Sequence, residues 1–221
     1  MKLFIPIKHI SQRVPRKNFR NFNNEPLFKH TLLKFSKYDI FVDTDSQEVK
    51  KSINTDDRLK NVHVIDRKES LKGHNTSVCL LIEDFIVTHG ITEPIIQLHV
   101  TSPFLREETV KEAYRMMAGH DSVVSCNTYY SRFWRKEKYG FCPVNHNPVD
   151  MQQTQDLPKF YEENSAFYIF NPSSFLSVGS RVGKKPYFYE IQEPENLDID
   201  NESDWQKCLN YLQFLKQNKE G

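Results

Sequence analysis

Short apolar runs recur along this chain, and a longer stretch with apolar residues at helical spacing separates most of them. That rhythm excludes most folds, because strands that alternate with helices pair in parallel and each pairing needs a crossover. The apolar runs place strands at 3–7, 39–42, 62–65, 94–98 and 122–125, and helices at 26–37, 76–88 and 107–118. Thr76 and Ser77 stand where they can cap the second helix, and Glu107 and Glu108 suit the positive end of the third helix's dipole. After a break the pattern resumes with strands at 166–170 and 187–191 and closes on a helix over 202–217. The expected architecture is a three-layer α/β/α sandwich.

With 221 residues the chain reads as a single domain, 1–221, large enough to bury a core without metal or disulfide staples. Lys and Arg number 30 against 29 Asp and Glu, a balance that argues against a dedicated nucleic-acid binder. Cys79, Cys126, Cys142 and Cys208 are scattered with no CxxC pair, the pattern of reduced thiols in a cytoplasmic protein. The opening MKLFIPIKHISQ holds too short an apolar run for a signal peptide, and no run reaches bilayer length, so no membrane partner is expected. Residues 128–160 break the rhythm with aromatic and basic residues, then polar ones, as a functional or interfacial excursion does.

In open α/β sheets ligands bind beyond the carboxyl ends of the strands, and four of those junctions are rich in polar residues. The first, KHISQRVPRKN at 8–18, could cradle a polyphosphate, although alone it equally fits a solvated basic loop. Asp43 and Asp45 could hold a divalent cation or open a phosphatase with Asp43 as nucleophile; an ordinary turn and helix cap explains them as simply. His99, Thr101 and Ser102 follow an apolar strand, where hydroxyls and helix N–H groups can meet a phosphate or sugar hydroxyl, or merely cap a helix beside a structural histidine. Asp198 and Asp200 alternate with Ile199, which puts both carboxylates on one face of an extended segment. Paired carboxylates suit Mg²⁺, and equally suit two solvated strand-end aspartates.

Taken in order, these segments resemble the acylneuraminate cytidylyltransferase family, the synthetases of CMP-sialic acid and related CMP-nonulosonates. The family opening IPARGGSKRIPRKN stands here as IPIKHISQRVPRKN at 5–18, and the likeness continues through Phe22, Pro26, Leu27 and the helix containing Thr31. Thr44 and Asp45 match its STD, Arg67 the arginine of its RP element, Thr101-Ser102-Pro103 its TSP, and residues 122–125 its SVVS strand. Leu157-Pro158, Asn164, Ala166 and Tyr168-Ile169 match its LP…NGAxYI region, and Asp198-Ile199-Asp200 with Asp204-Trp205 its DID…DW. The resemblance implies a nucleotide-diphospho-sugar transferase-like, Rossmann-like sandwich with a small dimerisation protrusion, for which 128–160 is the candidate. It implies that the anomeric hydroxyl of a 2-keto-3-deoxy sugar acid attacks the α-phosphate of CTP and releases pyrophosphate.

By match to the family, Lys8, Ser11, Arg13 and Lys17 line the triphosphate, Asn18, Arg67 and Ser77 contact the nucleotide, and Lys17 offsets charge at the reacting phosphate. His99, Thr101, Ser102, Gln155 and Asn164 fall in the acceptor half, and Asp198 and Asp200 carry Mg²⁺. Several positions depart from the pattern. Lys8 replaces an Arg, His9 and Ile10 replace two glycines, Gln12 a Lys, His99 a Gln and Ser165 a Gly, while Thr154 and Gln155 stand where sialic acid enzymes tend to have an Arg. Losing glycines bears on how closely the backbone can approach a phosphate. Two alternatives stay open: a same-fold nucleotidyltransferase for 3-deoxy-octulosonate, another sugar or another nucleotide, and a non-catalytic nucleotide-binding descendant.

Overall fold

A computed structural model describes residues 1–73, 75–150 and 152–218. Its elements in chain order are β1 (Lys2–Ile7), a 3₁₀ turn (Lys17–Phe19), the short pair β2 (Asn21–Phe22) and β3 (Glu25–Pro26), α1 (Leu27–Lys34), β4 (Asp39–Thr44), α2 (Gln47–Asn54) and β5 (Val62–Asp66). Then come α3 (Val78–His89), β6 (Ile95–Leu98), α4 (Glu107–Arg115), β7 (Ser122–Tyr129), β8 (Trp134–Glu137) and β9 (Gly140–Pro143). The chain ends with β10 (Phe160–Phe170), α5 (Pro172–Val178), β11 (Pro186–Glu190) and α6 (Glu202–Gln217).

Seven strands form one sheet in the order β11-β7-β10-β6-β1-β4-β5. All seven overlap the places the apolar runs predict, and every pairing is parallel except those of β10, which runs antiparallel to both β6 and β7. From β1 the chain builds outward through β4 and β5, then crosses back to lay β6 on the other side of β1. That reversal is the topological switch point, and it opens a crevice at the carboxyl ends of β1 and β6.

Alternation along β1 shows why it is central. Leu3, Ile5 and Ile7 enter a cluster shared with α1, α2 and α4, while Phe4 enters the opposite cluster with Leu81, Ile82, Phe85 and Ile86 of α3. A strand buried on both faces must be apolar throughout. A third cluster of Phe22, Leu27, Leu197, Ile199, Trp205 and Cys208 seats α6 and the extended segment before it.

Two helices lie outside the sequence reading. In α2 only Val49 and Ile53 are buried, too few apolar positions to show a period, and Ser46 caps it by accepting from the Val49 N–H at 3.3 Å. α5 is bracketed by Pro172 at its first turn and Gly179 in the left-handed conformation (φ 73°) just past its end. The helix expected over 107–118 ends at Arg115, where Met116, Met117 and Ala118 close i→i−3 bonds instead.

Candidate active site

The crevice at the switch point is a cleft of about 230 Å³, lined on one side by the loop after β1 and on the other by His99, Val100 and Thr101 after β6. Of the expected site residues it gathers Lys8, Ser11, Arg13, Lys17, Asn18, His99 and Thr101.

In place of the two glycines, side chains hold the loop. Neither His9 nor Ile10 has positive φ; the left-handed position is Arg16 instead, at φ 53°. Side chains supply the restraint: the His9 N–H donates to Asp45 Oδ1 at 2.8 Å, its ring Nδ1 pairs with Ser46 Oγ at 2.8 Å, and Arg16 forks onto both Glu48 oxygens at 3.0 Å. Asn18 donates to the Lys8 carbonyl at 2.9 Å, and the fully buried Val14 anchors the loop's far end. Asp45 and Ser46 thus serve the loop and the start of α2.

Asp198 and Asp200 face the loop from the segment before α6. Ile199 is fully buried between them, so the carboxylates turn the other way, as the alternation predicts. The Ile199 N–H donates to the Thr101 carbonyl at 2.9 Å, which fixes the segment to the end of β6. Asp204 is a structural residue: its carboxylate accepts from the N–H groups of Asp200 and Asn201 at 3.0 and 2.9 Å, completing the capping box of α6. Asp200 accepts from Arg13 at 2.5 Å, and Lys17 donates to the Ile199 carbonyl.

Burial sets the electrostatics. It lowers the Lys17 pKa against the opposing pull of Asp198 and Asp200, and it raises that of Asp198 against the Thr101 hydroxyl and Lys17. One Asp198 oxygen, Oδ1, is buried with no hydrogen-bond partner. A buried carboxylate oxygen left unpaired is costly, and it is the kind of donor that a hard cation takes. No group of three or more His, Cys, Asp or Glu among the described residues could hold a metal unaided. A pair of carboxylates is enough only for a hard cation that keeps waters and takes substrate phosphates as further ligands, as Mg²⁺ does.

Asp198 and Asp200 stand beside the cleft lining, Asp200 on Arg13, and five further expected residues lie outside it. Arg67 is buried and its guanidinium holds Asp43, with Nε on the carboxylate and Nη2 on the backbone carbonyl at 3.1 Å. The same pairing takes Asp43 away from solvent, which argues against a phosphatase nucleophile there. Ser77 caps α3, accepting from the Cys79 N–H at 3.2 Å. Ser102 is buried behind the cleft with its hydroxyl unpartnered. Gln155 sits exposed on a 3₁₀ turn, and Asn164 donates to Asn127 at 3.1 Å beside the bulge of β10. Ser165, in place of the family's glycine, adopts φ 61° at that bulge. Two residues of consequence were absent from the sequence reading, Gln97 and its partner Arg181. Gln97, fully buried in β6, touches His99, and its signal was a lone amide in the run Ile95-Ile96-Gln97-Leu98.

The family model described as Cytidylyltransferase matches residues 3–220. The chain belongs to the cytidylyltransferase family. It is 27% identical over 221 residues to an N-acylneuraminate cytidylyltransferase of Streptococcus agalactiae serotype V, covering 95% of this chain and 52% of the relative, so it spans about half that relative's length. It is 24% identical to a pseudaminic acid cytidylyltransferase of Campylobacter jejuni, covering 90% of each. The solved CMP:2-keto-3-deoxy-manno-octonic acid synthetase complexed with CTP shares this member's fold, with TM-score 0.63, 14% identity and 98% of each chain covered. The expected sandwich is therefore the cytidylyltransferase fold, with its cleft at the loop after β1.

Proposed function

We propose that this chain transfers a cytidylyl group from CTP to the anomeric hydroxyl of a 2-keto-3-deoxy sugar acid, a sialic acid or related nonulosonate. The observation that carries the reading is the gathering of Lys8, Arg13 and Lys17 in one cleft at the switch point, with Asp200 paired to Arg13 and both Asp198 and Asp200 acting on Lys17. Cations there balance a triphosphate, and the family's relatives are named for transfer of a cytidylyl group to nonulosonic acids.

The hydroxyl gives up its proton to water as its oxygen forms the new bond to the α-phosphorus, the bond to the bridging oxygen breaks, and pyrophosphate leaves with that electron pair. Charge gathers on phosphate oxygens, so catalysis rests on positioned cations more than on covalent steps. Lys17, half-buried and held by the Ile199 carbonyl, stands ready to offset it, while Lys8, Ser11 and Arg13 hold the rest of the triphosphate. Asp198 and Asp200 would hold Mg²⁺, which when bound supplies neutralisation of phosphate charge. His99 and Thr101 meet the acceptor, and Asn18 keeps the loop in register. By the resemblance, Arg67 and Ser77 would serve the nucleotide and Ser102, Gln155 and Asn164 the acceptor, from outside the cleft lining.

A second copy completes the assembly in this reading. The hairpin β8–β9 and its base expose Trp134, Tyr139, Phe141 and Tyr161, four large apolar side chains on one projection. Pyrophosphate release from CTP with Mg²⁺ and a panel of 2-keto-3-deoxy sugar acids tests the proposal. Release with one acid, lost in Asp200→Ala, supports it; silence across nonulosonates and octulosonate by folded, CTP-binding protein overturns it.

A further inference from the structure

Gln97 has no solvent exposure, so each of its polar atoms needs a partner. All have one. Oε1 accepts from Arg181 Nη1 at 2.7 Å, and Nε2 reaches the Leu98 carbonyl at 3.3 Å and His99 Nε2 at 2.8 Å.

The amide is oriented from both ends. A guanidinium only donates and a carbonyl only accepts, so the atom facing Arg181 is oxygen and the atom facing Leu98 is the NH₂. The remaining amide hydrogen points at His99 Nε2, which must accept it. A neutral imidazole that accepts at one nitrogen carries its proton on the other. The His99 proton therefore sits on Nδ1, on a ring that lines the cleft. Neutrality is itself enforced: burial, then the cations Arg181 and Lys17, lower the ring's pKa to about 4. Arg181 is fixed in turn, its guanidinium 3.7 Å from the centre of the Tyr168 ring, whose hydroxyl donates to Glu163 at 2.8 Å.

We propose that Arg181 and Gln97 are positioning residues that lock His99 as the Nδ1–H tautomer, making it a fixed hydrogen-bond donor to an oxygen of the acceptor acid. The acceptor's identity rests on the proposed function; the tautomer does not. A donor held in place favours a carboxylate, carbonyl or hydroxyl oxygen at that point and disfavours an acid that presents its own N–H there.

The test is ¹⁵N NMR of histidine-labelled protein, with the His99 signals assigned by their loss in His99→Asn. The expected wild-type result is a protonated Nδ1 and an unprotonated Nε2 at neutral pH. Gln97→Glu, nearly isosteric, puts a carboxylate where the NH₂ stood and is expected to move a proton onto Nε2. A wild-type Nε2–H, or an unchanged Nε2 in Gln97→Glu, overturns the lock. In turnover, Arg181→Met is expected to raise KM for the acid roughly tenfold with KM for CTP unchanged, the scale of one lost hydrogen bond. An equal rise for both substrates overturns the positioning role. Expected spectra without turnover on any acid would sink the proposed function and leave the lock standing.

Discussion

Asp198 carries the sharpest conflict between stability and chemistry in the molecule. Its carboxylate is half-buried with one oxygen unpartnered, and burial raises its pKa above the ordinary 3.8. The native state therefore keeps this proton longer than the unfolded chain does, and stability falls as pH rises through the window above 3.8. Asp198→Asn removes that cost. The variant is expected to be more stable than wild type at neutral pH by about 1 kcal/mol, with the gap closing below pH ~3.8, and to release no pyrophosphate. Added Mg²⁺ is expected to raise the unfolding midpoint of wild type and not of the variant, because only an intact site binds it. Thermal unfolding across pH, with and without the ion, measures all three. Most of the candidate site was legible at this scale because Lys8, Arg13, Lys17 and His99 lie in the segments after predicted strands, and Asp198 and Asp200 alternate along a short extended segment. Gln97 and Arg181 were not, since nothing in a linear string pairs residues 84 apart.

Among the elements, the ends of β4 and β5 depend on a buried ion pair. Arg67 follows β5 and Asp43 lies in β4, both almost wholly inaccessible. Removing the cation strands a buried carboxylate, so Arg67→Met is expected to destabilise the fold by about 3–5 kcal/mol, read as a shifted urea midpoint with an unchanged m-value. An Arg67 that served only the nucleotide would leave the midpoint in place and raise KM for CTP. Strands and long helices were readable from the sequence because burial on two faces leaves an unmistakable apolar run. α2 was not, as its stability comes from the Ser46 cap and two packed residues more than from a periodic face. β10 reads only in part: its apolar half from Ala166 is visible, while its outer half, Phe160 to Asn164, is exposed or half-exposed and carries no apolar period.

The whole molecule is a sheet with an arm. β7 and β10 outrun the sheet, pairing Tyr129 with Phe160, and the hairpin β8–β9 sits at their far end. Its exposed aromatics are expected to hold a homodimer together. Replacing Tyr139 and Phe141 with Ser is expected to halve the mass seen by light scattering while leaving the unfolding midpoint of the sheet within about 0.5 kcal/mol of wild type; an unchanged mass rejects the arm as the interface. The antiparallel strand has a further consequence, for the order in which the chain can fold. β10 fills the slot between β6 and β7, yet it is synthesised after both. On the ribosome, β5, β4, β1 and β6 can assemble early, but β6 then presents a bare edge until residue 170 has emerged, and a ribosome that stalls or terminates near 150 leaves a template for intermolecular strand pairing.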